Sequence, residues 1–80
     1  TANQMKNFND QKQFHKTLQL FDTYKNDTPA QLTTIIILQT LKACSRTRDL
    51  QRGEDVYRLV PSRLRDNPYI VTSLIHLYSE

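Results

Sequence analysis

The mostly apolar positions of this chain recur at helical spacing, block after block. Phe14, Thr17, Leu20, Phe21 and Tyr24 return every three or four residues and predict a helix over about residues 11–25. Asp10, with Gln13 three residues on, has the form of a capping box and is read as its N-cap. Asn26-Asp27-Thr28-Pro29 stops it. The next helix can start at Pro29 behind a capping Thr28, or near Thr33 and Thr34. It carries Ile35, Ile37, Leu38, Leu41 and Cys44 and is expected to end near Arg46. The run of three isoleucines favours a strand locally. The pattern nevertheless continues at i, i+3 and i+4 through Leu41 and Cys44, and helix wins.

Asp49 is expected to cap a further helix, with Leu50, Gly53, Val56, Tyr57 and Val60 on one face and Pro61 ending or kinking it. Asn67-Pro68 repeats the cap-plus-proline start. Ile70, Val71, Leu74, Ile75 and Tyr78 then carry a last helix to the end of the chain. Residues 1–8 read as the end of a preceding helix, with Met5 and Phe8 on its apolar side.

These helices repeat. Phe14, Lys16, Thr17, Leu20 and Phe21 align with Leu50, Arg52, Gly53, Val56 and Tyr57 at an offset of 36 residues. Ile36, Ile37, Leu41 and Ser45 align with Ile70, Val71, Ile75 and Ser79 at an offset of 34. A helical hairpin recurring at that period predicts an all-α fold, an α-α superhelix or solenoid of antiparallel hairpins. About two and a third repeats fit the chain. Residues 1–33 hold a partial first repeat, 34–67 a complete one, and 68–80 the first helix of a third, truncated one. A hairpin cannot bury its own apolar face. Leu74, Ile75, Leu77 and Tyr78 are therefore expected to need a following helix, so that the native chain continues past Glu80. The internal position of Met5 suggests that it also starts earlier.

Composition narrows the picture. At 38% hydrophobic and 24% charged the chain is globular rather than disordered. A single Gly and three Pro leave few tight turns, which argues against an all-β fold. The longest apolar run, Ile35 to Leu38, is far too short to cross a membrane. The first residues carry neither a signal nor a transit peptide. The lone Cys44 excludes an internal disulfide and a cysteine-cluster zinc site. A net charge of +3 permits nucleic-acid contact without demanding it.

Leu41-Lys-Ala-Cys-Ser45, Asp49-Leu-Gln-Arg-Gly53 and Ser73-Leu-Ile-His-Leu-Tyr-Ser79 resemble the "LKAC…GDLxxG" and "NSLIxMYAxCG" patterns of the pentatricopeptide repeat family. The likeness is to its alternating long and short variants. Phe14-His-Lys-Thr-Leu-Gln-Leu-Phe21 is similar to the family's "EALELF" helix. The resemblance spans nearly the whole chain. There are departures: Thr72 stands where Asn is usual, Arg48 replaces the Gly before Asp-Leu, and the linker around Pro29 is irregular.

What the resemblance implies is single-stranded RNA binding, about one base per repeat. In this family one reading residue lies on the inner face of the first helix and the other is the last residue of the repeat. Those pairs become Ala2 with Thr33, Leu38 with Asn67, and Thr72 with a partner beyond Glu80. Leu38 cannot hydrogen-bond a base edge, so the complete repeat should discriminate poorly. The resemblance also implies service in organellar RNA processing or cytidine-to-uridine editing, in mitochondria or plastids, with protein processing or editing factors as possible further partners. It implies no membrane and no small-molecule ligand.

Candidate chemistry is sparse. His15 and His76 share no metal-ligand spacing and read as solvated or packing residues. Cys44 reads as a small buried hydrophobe. No phosphate loop, nucleophilic triad or carboxylate pair is present, so no catalytic site, cofactor or metal is expected, and a deaminase could only be encoded elsewhere in a parent chain. Residues 42–65 form the basic part of the chain. Its cations are either a solvated face laced with Asp49, Glu54, Asp55 and Asp66, or phosphate contacts along a groove, with Lys42, Arg46 and Arg48 as candidates. Tyr57 and Tyr78 could stack on bases, but core packing is the expected role. Two other architectures compete. A tetratricopeptide-like solenoid would hold a protein or peptide, but its Trp/Gly/Tyr and Ala/Pro pattern is missing. A free-standing helical bundle would leave the last helix unpaired.

Overall fold

The computed structural model describes residues 2–27 and 33–79, and these are mostly helical with no strand. Five α-helices follow one another: α1 (Ala2–Asp10), α2 (Phe14–Asp27), α3 (Thr34–Thr47), α4 (Leu50–Leu59) and α5 (Pro68–Ser79), with a short 3-10 turn over Ser62–Leu64. The odd-numbered helices touch in order, α1 on α3 and α3 on α5. Helix α2 lies against α1 and α3, and α4 against α3 and α5. The thinnest dimension is 20 Å, about two helix diameters at packing distances of ~10 Å.

Helix α3 is the hub, and its sequence explains why. Six of its residues are buried: Ile36, Ile37, Thr40, Leu41, Ala43 and Cys44. They cover more than one face, as a helix flanked by four others requires. Thr40 is tolerated there because its hydroxyl donates to Ile36 O at 2.8 Å. From the other helices Met5, Leu18, Phe21, Val56, Val60, Ile70 and Leu77 complete the core.

The helix ends follow local chemistry. Thr33 caps α3, its hydroxyl accepting from Ile36 N–H at 3.3 Å, so of the alternative starts the one at Thr33 and Thr34 is observed; Thr28 and Pro29 lie outside the described residues. Asp49 caps α4 by accepting from Arg52 N–H at 3.1 Å. Val60 is extended ahead of Pro61 and ends α4. Asn67 caps α5, its Oδ1 accepting from Tyr69 N–H at 2.9 Å and from Ile70 N–H at 3.4 Å.

Asp10 is the last residue of α1 and not the cap of α2. Lys12 N–H donates to Asn9 O at 3.0 Å and Gln13 N–H to Phe8 O at 2.7 Å. That pair of bonds closes α1 in a Schellman motif, with Lys12 left-handed at φ 61°. The same motif closes α3, where Asp49 N–H donates to Cys44 O at 2.9 Å and Arg48 has φ 56°. In both motifs a basic residue holds the place that glycine usually takes.

Burial departs from the sequence pattern on two helices. On α4 Gly53 and Val56 turn inward, as does Val60 at its C-cap, but Leu50 and Tyr57 are exposed. Helix α5 crosses α4 so closely that a Cβ on Gly53 would overlap Leu77 Cδ2. Leu77 is buried by that contact and needs no following helix. Ile70 joins it in the core and Leu74 is half-buried, whereas Val71, Ile75 and Tyr78 stand exposed on the far side.

The buried Asn9 and Thr17 join the half-buried Gln39 in one connected set. Asn9 of α1 donates through Nδ2 to Gln39 O and Gln39 Oε1 of α3, at 3.0 and 2.9 Å. Thr17 of α2 donates to Asn9 Oδ1 at 2.8 Å and lies 3.2 Å from Met5 O. Among the described residues no buried side-chain nitrogen or oxygen is left without a partner.

Candidate nucleic-acid interface

A groove of about 770 Å³ runs between α3 and α5. Leu38, Lys42 and Arg46 succeed one another at four-residue intervals along its α3 wall, with Gln39, Leu41 and Ser45 beside them. Tyr69, Thr72, Ser73 and His76, at three- and four-residue intervals, form the α5 wall. Each set is one ridge of a helix, and the α3·α5 packing aligns the two ridges. Among the described residues, two fixed cations and an imidazole line the groove, and no carboxylate does. Such a surface favours an anionic ligand, and its polar groups can both donate and accept hydrogen bonds.

Several predicted site residues meet here. Leu38 and Thr72, proposed as readers in successive repeats, line the same groove, and so do Lys42 and Arg46. Arg48 does not. It sits in the left-handed turn after α3, its N–H bonded to Cys44 O and Ser45 O. Thr33 and Asn67, the proposed repeat-end readers, spend their side-chain oxygens on capping α3 and α5. Asn67 keeps its amide Nδ2 donors for another partner. Ala2 opens α1, but its side chain lies outside what the structure describes.

Tyr69 and His76 were not singled out by sequence as groove residues. Tyr69 is 71% exposed, the most open of the large apolar side chains described. A signal for both existed, since they follow Ile35 and Lys42 by the same 34 residues that separate Leu38 from Thr72.

Arg52 and Arg65 of the basic segment are engaged elsewhere. Arg52 pairs with Asp22 of α2 at 2.9 Å and with Asp49 at 3.0 Å. Arg65 stacks over the Tyr57 ring at 5.5 Å and donates through Nε to Val60 O at 3.4 Å. Arg58 lies beside Lys25 and Asp55, between α2 and α4. The capping N–H of Arg52, and then its guanidinium, hold the Asp49 carboxyl below its ordinary value. Burial, and then the charge of Asp49, push the Cys44 thiol up to about 12. A thiol so placed stays protonated at neutral pH and is a poor nucleophile.

A second, shallower groove of about 440 Å³ lies on the far side of α5, with Tyr57, Val71, Leu74, Ile75 and Tyr78 on its walls. The two tyrosines expected in the core, Tyr57 and Tyr78, are 42% and 54% exposed. Their helical spacing is intact, but no described helix covers that side. Among the described residues no three His, Cys, Asp or Glu side chains are grouped to hold a metal ion, and no described helix is long and apolar enough to cross a membrane. Comparison with known proteins leaves this geometry to speak alone: no family model, no curated protein and no solved structure matches the chain.

Proposed function

We propose that this chain binds single-stranded RNA in the groove between α3 and α5, as a segment of a pentatricopeptide-type α-solenoid serving RNA processing or editing in an organelle. One observation carries the reading. Leu38 and Thr72, picked out as successive base-facing positions, flank one groove together with Lys42 and Arg46, and among the described residues no acid lines it. The order of packing supports the solenoid, since each odd-numbered helix rests on the next and each even-numbered helix braces two of them. In this reading Lys42 and Arg46 hold phosphates. Thr72 hydrogen-bonds a base edge, and Leu38 packs against a base without reading it.

The test is a fluorescence-anisotropy titration of the 80-residue chain with labelled oligouridylate over a series of salt concentrations. Each phosphate contact on a single strand contributes about 0.7 to the slope of log K against log salt. Lys42→Ala and Arg46→Ala should each lower the slope by about that amount. Absence of RNA binding at low salt would overturn the reading. The second reading, a tetratricopeptide-like scaffold for a peptide, draws on the apolar Leu38, Leu41 and Tyr69 in the same groove. Binding of an acidic apolar peptide in preference to RNA would establish it instead.

A further inference from the structure

We propose that His76 is a third phosphate-binding group of the α3–α5 groove, and that its protonation couples nucleic-acid affinity to pH. This rests on the groove being an RNA site. His76 follows Lys42 by 34 residues, so it holds on α5 the place that Lys42 holds on α3. It is exposed and lies four residues beyond Thr72 on the same wall. Among the described residues, the charged or titratable groups sharing the groove are Lys42 and Arg46 of α3 and Tyr69 of α5 itself; α4, the other helix packed on α5, contributes no described residue to the walls. Among the described residues, no carboxylate lining the groove competes for the imidazolium.

A neutral imidazole brings one N–H donor and no charge, whereas the imidazolium brings two donors and a positive charge. Imidazole changes between these forms within the physiological range. A phosphate seated beside Lys42, Arg46 and His76 stabilises the imidazolium, so binding takes up a proton. By reciprocity, acidification tightens binding. A permanent cation at one position and a titratable one at the next makes the groove respond to pH where a second lysine would not.

The experiment repeats the salt series with labelled oligouridylate at about pH 6 and about pH 8, either side of the imidazole transition. For the unmodified chain the slope should steepen by about 0.7 at the lower pH, the increment of one further contact with a single strand. His76→Gln should show the shallower slope at both pH values. His76→Lys should show the steeper slope at both. His15→Gln, an exposed site on α2, should behave as the unmodified chain. Persistence of the pH-dependent slope in His76→Gln would overturn the assignment while leaving the RNA site standing. So would a shallow slope in His76→Lys. Failure of every variant to bind RNA at either pH would overturn the RNA reading itself, and this proposal with it.

Discussion

Leu77 of α5 occupies the space that a side chain at Gly53 of α4 would need. The glycine leaves that methyl its place, although in a helix it costs about 1 kcal/mol relative to alanine. Gly53→Ala should regain that amount but displace a buried leucine, and overpacking of this kind costs ~1–3 kcal/mol. A small net loss of stability is expected by urea denaturation. Introduced into a Leu77→Ala background, the same substitution should become stabilising by about 1 kcal/mol. A Gly53→Ala effect of equal sign and size in both backgrounds would show that the two residues do not share this contact.

Asp49 ties stability to acid. Its carboxyl is held low by the Arg52 N–H it caps and by the Arg52 side chain. A carboxylate depressed by folding contributes stability above its unfolded pKa and loses it as pH falls through the folded value. The effect should therefore be present at neutral pH and fade below about pH 4. Asp49→Asn keeps an acceptor for the cap but removes the titration, so thermal melts of this variant should fall less steeply below about pH 4. Asp49→Ala should cost about 1 kcal/mol at neutral pH.

Arg48 separates a structural demand from a functional one. Its left-handed backbone, φ 56°, is costly for a side-chain-bearing residue and free for glycine. Arg48→Gly should stabilise the chain by about 0.5–1 kcal/mol. Because Arg48 does not line the α3–α5 groove, the same variant should leave the salt slope of RNA binding unchanged. A slope lower by about 0.7 would restore Arg48 to the phosphate contacts.

Cys44 reports on opening of the core. It is fully buried and its thiol is pushed up to about 12, so alkylation by iodoacetamide near neutral pH should wait for the helices to separate. Leu41, one turn earlier and 1% exposed, should cost ~2–5 kcal/mol when cut to alanine. Labelling should then accelerate at least ~30-fold, the factor that corresponds to ~2 kcal/mol. Leu74→Ala, at a half-buried position, should accelerate it less. Labelling indifferent to Leu41→Ala would mean that Cys44 is reached without unfolding.

The all-helical fold was legible where local chemistry decides the outcome. Asp49, Asn67-Pro68 and Pro61 act on neighbours within four residues, and each marks the boundary it was expected to mark. Asp10 misled because a capping pattern and a helix ending look alike when the ending uses Lys12 in place of glycine. Burial was harder to read. The spacing of Tyr57, Ile75 and Tyr78 defines a face, but spacing does not say whether another helix covers that face. In the groove, Leu38, Lys42, Arg46 and Thr72 were legible from the repeat offset together with a family resemblance. His76 is legible only as the positional counterpart of Lys42, since a lone histidine carries no metal-ligand spacing of its own.

The polar chain from Thr17 through Asn9 to Gln39 has a consequence of another kind. Apolar helix faces tolerate sliding, since one methyl contact replaces another at little loss. Directed bonds do not, because a shift of one residue would strand an amide and a hydroxyl in the dark interior. With one link each on α2, α1 and α3, this polar chain works as a keyed joint. It admits a single rotational setting for three helices at once, and any surface they build together inherits that setting.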